Sequence, residues 1–66
     1  MQHRRILRRR GVADLTSLSL ATIYRLIGRG DFPTPIRLST NTVGWDVRDV
    51  DAWIERRKAA SARRSA

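Results

Sequence analysis

The residues best suited to chemistry lie close together: Thr22, Tyr24, Arg25 and Arg29. A guanidinium can donate two parallel N–H groups to a guanine edge or a phosphate, a hydroxyl can donate to phosphate, and a tyrosine ring can pack on a thymine methyl. At about 100° per residue, Ala21, Tyr24, Arg25 and Gly28 share one helix face, with Thr22 and Arg29 at its edge. That face is small, polar and basic. Each residue also has a plainer role. Arg25 would serve as a solvated helix charge, Tyr24 would pack beside Leu20 and Ile27, and Thr22 would help start a helix, where hydroxyls also meet phosphate.

No comparable set points to catalysis. The chain has one His and no Cys, and His3 stands without a second ligand for a metal. Asp46, Asp49 and Asp51 fall at the start of one helix, where capping accounts for them. There is no glycine-rich phosphate loop and no nucleophile motif. The expectation is a protein without catalytic residues, metal, cofactor or small-molecule ligand.

The elements that must position the basic face follow from local signals. Ser19 caps a helix, Thr22 stands three places on, and Ile23, Leu26 and Ile27 form its apolar stripe. Gly30 supplies the left-handed residue that ends it near Arg29. Upstream, Val12, Ala13 and Leu15 predict a short helix over 10–16, followed by a turn at Ser17 and Leu18 with Leu18 packed inward. Helix, tight turn, helix is the unit that offers its second member to the major groove.

After Gly30, Asp31-Phe32-Pro33-Thr34-Pro35 reads as an extended connector with Phe32 buried. Ile36-Arg37-Leu38 and Val43-Gly44-Trp45 read as strands around the loop Ser39–Thr42, where Asn41 would take left-handed geometry. This is a wing, and Ser19, Arg37, Thr40, Asn41 and Thr42 join the candidate phosphate contacts. For Arg37 the rival is a salt bridge to Asp46 or Asp31. Asp46 then caps a third helix with the stripe Val47, Val50, Trp53 and Ile54, fraying beyond Lys58. Trp45 and Trp53 are the largest core candidates, and Ile6-Leu7 reads as a short strand or a plug.

The fold class expected is mainly α with a small β-hairpin, a winged helix-turn-helix. The chain divides into a flexible basic arm at 1–5, the domain at 6–58 and a basic tail at 59–66. With 66 residues it buries only about 60% of its unfolded surface, which favours a binding module over a catalytic cleft. Net charge is +8, unevenly placed: residues 1–10 hold five arginines and residues 56–66 five cations, neither with an acid, while the interior carries −2. Such flanks suit a polyanion, since neutralised phosphates release counterions, and Arg8, Arg9 and Arg10 are candidate contacts. The plainer reading is solvated tails that aid solubility. The absence of Cys fits a reducing compartment. No apolar run reaches the roughly 20 residues of a membrane span, and no secretory segment is present, so the cytoplasm is the expected location.

The order of these elements, with T-S-L-S-L-A-T-I-Y-R-L-I, F-P-T-P-I-R-L, V-G-W and D-A-W-I, resembles the AlpA-type phage regulators. These belong to the winged-helix excisionase group related to MerR-type DNA-binding domains. The resemblance covers about Ile6 to Arg57 and implies a bacterial, nucleoid-associated protein that binds double-stranded DNA. It would regulate transcription or steer an integrase towards excision, with the integrase and further copies of itself as partners. The chain departs from the family pattern at three places. Ser17 stands where the family commonly has Gly, Leu20 where it often has Arg or Lys, and Thr40-Asn41-Thr42 where the wing often carries Gly-Pro-Arg. A protein-interaction module docking through the Leu20–Tyr24 edge or the basic tail is the alternative. An RNA binder is a third reading, with too few strands to display stacking aromatics.

Overall fold

The computed structural model describes residues 5–64. In chain order the elements are β1 (Ile6–Leu7), α1 (Arg9–Thr16), α2 (Leu20–Gly28), β2 (Ile36–Ser39), β3 (Thr42–Asp46) and α3 (Val47–Arg64). The architecture is a winged helix-turn-helix: three helices and a small antiparallel sheet.

Each layer supplies one residue to the centre. Val12 of α1, Ile23 of α2, Phe32 of the connector, Trp45 of β3 and Val50 of α3 are buried together. Leu18 packs against them from the turn, as do Leu20, Leu26 and Ile27 from α2. The Trp45 indole N–H donates to the Pro33 carbonyl (3.0 Å), so the largest buried ring is satisfied and ties the connector to the wing. Trp53 is only half-buried, a correction to its reading as core. Its indole donates to the Asp31 carbonyl (2.6 Å) and its ring meets Phe32 edge-on, so it seals the core margin.

The Ile6-Leu7 alternative resolves as a strand. β1 pairs with β3, Ile6 opposite Asp46 and Leu7 opposite Trp45, giving the order β1-β3-β2. The wing is therefore three-stranded where a hairpin is expected. β3 runs in the middle, and there Gly44 has no room for a side chain: a Cβ would lie 2.6 Å from Ile6 Cγ2. Arg5, the last residue of the expected arm, meets the body through its carbonyl, which accepts from the Val47 amide (3.0 Å). Met1 to Arg4, including His3, lie outside the described residues.

The wing tip differs in detail. Ser39 and Thr42 pair as strand residues, leaving Thr40 and Asn41 as the turn. Asn41 does not have positive φ. The pairing register instead shifts between Arg37 and Ser39, so strand irregularity accommodates the turn.

α3 runs to Arg64, past the Lys58 limit read from its stripe. Ala59, Ala60, Ser61, Ala62 and Arg63 include no Gly or Pro, and alanine and arginine favour helix without needing a packed face. The basic end from 59 to 64 is thus helical. Asp46 begins α3: its Oδ1 accepts from the Arg48 amide (2.9 Å), and the Arg48 guanidinium grips both carboxylate oxygens. That hydrogen bond and the carboxylate charge raise the Arg48 pKa, keeping it cationic.

Candidate nucleic-acid interface

α2 is placed by its two ends. At the start, the Thr22 amide donates to Ser19 Oγ (3.1 Å) and Ser19 Oγ donates to Thr22 Oγ1 (3.0 Å), so both hydroxyls engage in the cap. At the end, Gly30 has φ +78°, its amide donates to Ile27 and the Asp31 amide donates to Leu26. This pair of bonds is a Schellman motif, fixing where the chain leaves the helix.

Between these ends Ile23 is buried, Leu26 and Ile27 are half-buried, and Ala21, Tyr24, Arg25, Gly28 and Arg29 are exposed. The face expected from the 100° wheel is the face turned to solvent, with Thr22 half-buried at its edge. Arg25 Nη2 lies 3.5 Å from Thr22 Oγ1, a long contact that leaves the guanidinium available. Arg29 approaches Asp31 at 3.7 Å with both side chains largely exposed, and such a pair is worth about 0–1 kcal/mol, too little to withhold Arg29 from a phosphate.

Tyr24 joins three elements, a role the sequence signals did not indicate. Its ring meets Trp45 of β3 edge-on at 6.3 Å, and its hydroxyl accepts from Arg9 Nε (3.1 Å). Arg9 is thereby brought onto the α2 face. Arg8 and Arg10 are exposed at the start of α1 and make no such junction among the bonds described.

The wing set is more loosely gathered. Arg37 donates to the Thr40 carbonyl (3.2 Å) across the turn, and neither Asp46 nor Asp31 is the partner that takes it. Asp46 pairs with Arg48 (2.9 Å) and Asp31 with Arg29. Strand alternation places Arg37, opposite Val43, on the same side of the sheet as Trp45, the ring that Tyr24 touches. Thr40 and Asn41 are exposed at the tip and Thr42 is half-buried.

The turn before α2 carries the first departure from the family pattern. Ser17 has φ 61° and ψ 25°, the left-handed region, with the side chain that glycine would lack. The neighbouring Thr16 hydroxyl donates to the Val12 carbonyl (2.8 Å) and accepts from the Leu18 amide (3.3 Å), holding the turn from within.

A short helix-turn-helix whose second helix exposes an acid-free face, backed by a three-stranded wing, defines a winged helix-turn-helix protein. Residues 5–58 match the family of the prophage CP4-57 regulatory protein AlpA. The chain is also similar to the uncharacterised protein ORF88 of Enterobacteria phage P4, 41% identical over 59 residues, covering 89% of this chain and 67% of the phage protein. The chain belongs to the AlpA family of phage regulatory proteins. No helix among the described residues is long and apolar enough to cross a membrane.

Proposed function

We propose that this protein binds double-stranded DNA with α2 in the major groove and the wing against a neighbouring phosphate backbone. The carrying observation is the exposed face Ala21, Tyr24, Arg25, Gly28 and Arg29, which has no carboxylate and which Tyr24 extends to Arg9. Small residues at Ala21 and Gly28 let the helix backbone approach base edges, and Arg25 is the base-reading candidate. Ser19, Thr22 and Arg29 supply phosphate contacts at its two ends, and Arg8 and Arg10, exposed at the start of α1, supply others. Arg37, Thr40, Asn41 and Thr42 do so from the wing. The helical basic end of α3, with Arg56 and Arg63 exposed, adds sequence-independent attraction.

Binding serves regulation of transcription, or it directs an integrase towards excision. In the excision version several copies occupy adjacent sites and bend the DNA. Its support is the free edge strand β2, exposed along its whole length, where Ile36 and Leu38 are 38% and 44% exposed and available to a neighbouring copy. The test is a mobility-shift titration on duplexes flanking the protein's own gene, with scrambled duplex and structured RNA as competitors. Footprinting and a circular-permutation bend assay follow on any shifted fragment. The DNA reading expects a shift that scrambled duplex competes weakly. Absence of any shift at low salt would pass the function to the protein-interaction reading. One short protected site on unbent DNA would leave the plain regulator and remove the excision factor.

A further inference from the structure

Leu15 is 42% exposed on α1, where the core takes Val12 and half-buries Ala13. Six residues separate it from Arg9, which places it about 120° round the helix from the contact with Tyr24. It therefore faces away from α2. On that side it forms an open groove with Trp53 and Ile54 of α3, both only half-buried, and the groove is rimmed by Arg57 and Lys58.

Floor and rim differ in chemistry. The floor is largely aliphatic and aromatic; of the two hydroxyls that line the groove, that of Thr16 is already engaged with the Val12 carbonyl and the Leu18 amide, and that of Ser61 stands on α3 one turn beyond Arg57. The Arg57 guanidinium sits 5.1 Å over the Trp53 ring, which stations a cation above the apolar surface. Lys58 reaches Glu55 at 3.4 Å, both largely exposed, and from Arg56 to Arg64 α3 carries no acid. A phosphate backbone would gain from the rim and leave Leu15, Trp53 and Ile54 covered by nothing apolar. An acidic segment with aliphatic side chains would satisfy both.

We infer that the groove between α1 and α3 receives an amphipathic helix of a partner protein. That helix would lay apolar side chains one turn apart on Leu15, Trp53 and Ile54 and present carboxylates to Arg57 and Lys58. The site lies on a different side of α1 from the α2 face, so a partner helix and DNA can be held together. This goes beyond the DNA-binding reading and does not depend on it.

The test is an NMR titration of the full chain with a synthetic helical peptide of about five turns bearing a Leu stripe and Glu elsewhere. Two control peptides replace Glu by Lys or Leu by Ser. Saturable shifts are expected at Leu15, Ile54, Lys58 and the Trp53 indole, with both controls binding at least about tenfold more weakly. Leu15→Ser and Lys58→Glu, both at exposed positions, should each weaken the Glu-Leu peptide by about tenfold while keeping the wild-type melting temperature. A saturating duplex should leave the peptide affinity unchanged. No saturable shift at about millimolar peptide would overturn the inference, as would equal binding of the Lys peptide. Displacement by duplex would also overturn it and give the groove to nucleic acid. Failure of the protein to bind any duplex would count against the DNA reading alone, since the peptide titration stands without it.

Discussion

α2 and α3 are both amphipathic helices begun by a side-chain oxygen, Ser19 for one and Asp46 for the other, and each buries one residue fully, Ile23 or Val50. Their solvent faces differ. α2 shows Ala21, Tyr24, Arg25, Gly28 and Arg29, whereas the first half of α3 mixes Arg48 with Asp49, Asp51 and Glu55. An apolar stripe says only that a helix packs. The sign and size of the opposite face decide whether it can lie against a polyanion, and by that criterion α2 is the helix we propose to read DNA while the first half of α3 supports. Past Glu55 the exposed face of α3 loses its acids, so a supporting helix continues into a basic projection.

The core that both helices share gives the largest expected effect. Trp45→Ala should destabilise the domain by about 3–5 kcal/mol, enough to abolish a cooperative thermal melt in a chain with so small a core. Trp53→Ala, at the half-buried margin of α3, should cost less. Circular-dichroism melts of the two variants check the order, and a larger loss for Trp53 would move the core's centre to α3.

The two caps separate the helices more finely. Asp46→Ala removes a cap and leaves Arg48 without the carboxylate it grips, so a loss towards about 2 kcal/mol is expected, against about 1 kcal/mol for Ser19→Ala. Urea midpoints at constant slope would measure both, and equal losses would mean that the Arg48 grip adds nothing to the cap. Smaller and opposite in sign, Ser17→Gly should stabilise by up to about 1 kcal/mol, because glycine takes the left-handed conformation that Ser17 holds at φ 61°. A destabilised glycine variant would show that the serine side chain, not its backbone, holds the turn.

Much of this fold was legible from local chemistry. The Ser19 cap, the Ile23, Leu26 and Ile27 stripe and the Gly30 stop are each decided within a few residues, and α2 lies where they put it. What escaped depends on distant partners. Ile6-Leu7 becomes a strand only because β3 lies beside it, and Trp53, with its indole on the Asp31 carbonyl, lies at the margin of the core and not within it. The tail became helix because Ala and Arg need no packed face, a propensity that charge counting obscured. In the candidate interface the α2 face followed from the wheel, but the Arg9 contact with Tyr24 joins residues fifteen apart and carries no local signal.

The measurement that bears most directly on the central claim is the ratio of affinities for a duplex flanking the gene and a scrambled duplex, taken across a salt series. Arg25→Ala on α2 and Arg56→Ala on α3 are both exposed changes and should alter stability by less than about 0.5 kcal/mol. If α2 reads bases through Arg25, its removal lowers the ratio by about tenfold or more, while Arg56→Ala leaves the ratio unchanged and flattens the salt slope by about 0.9. Equal weakening of both duplexes by Arg25→Ala would contradict the account and make α2 a backbone contact like α3.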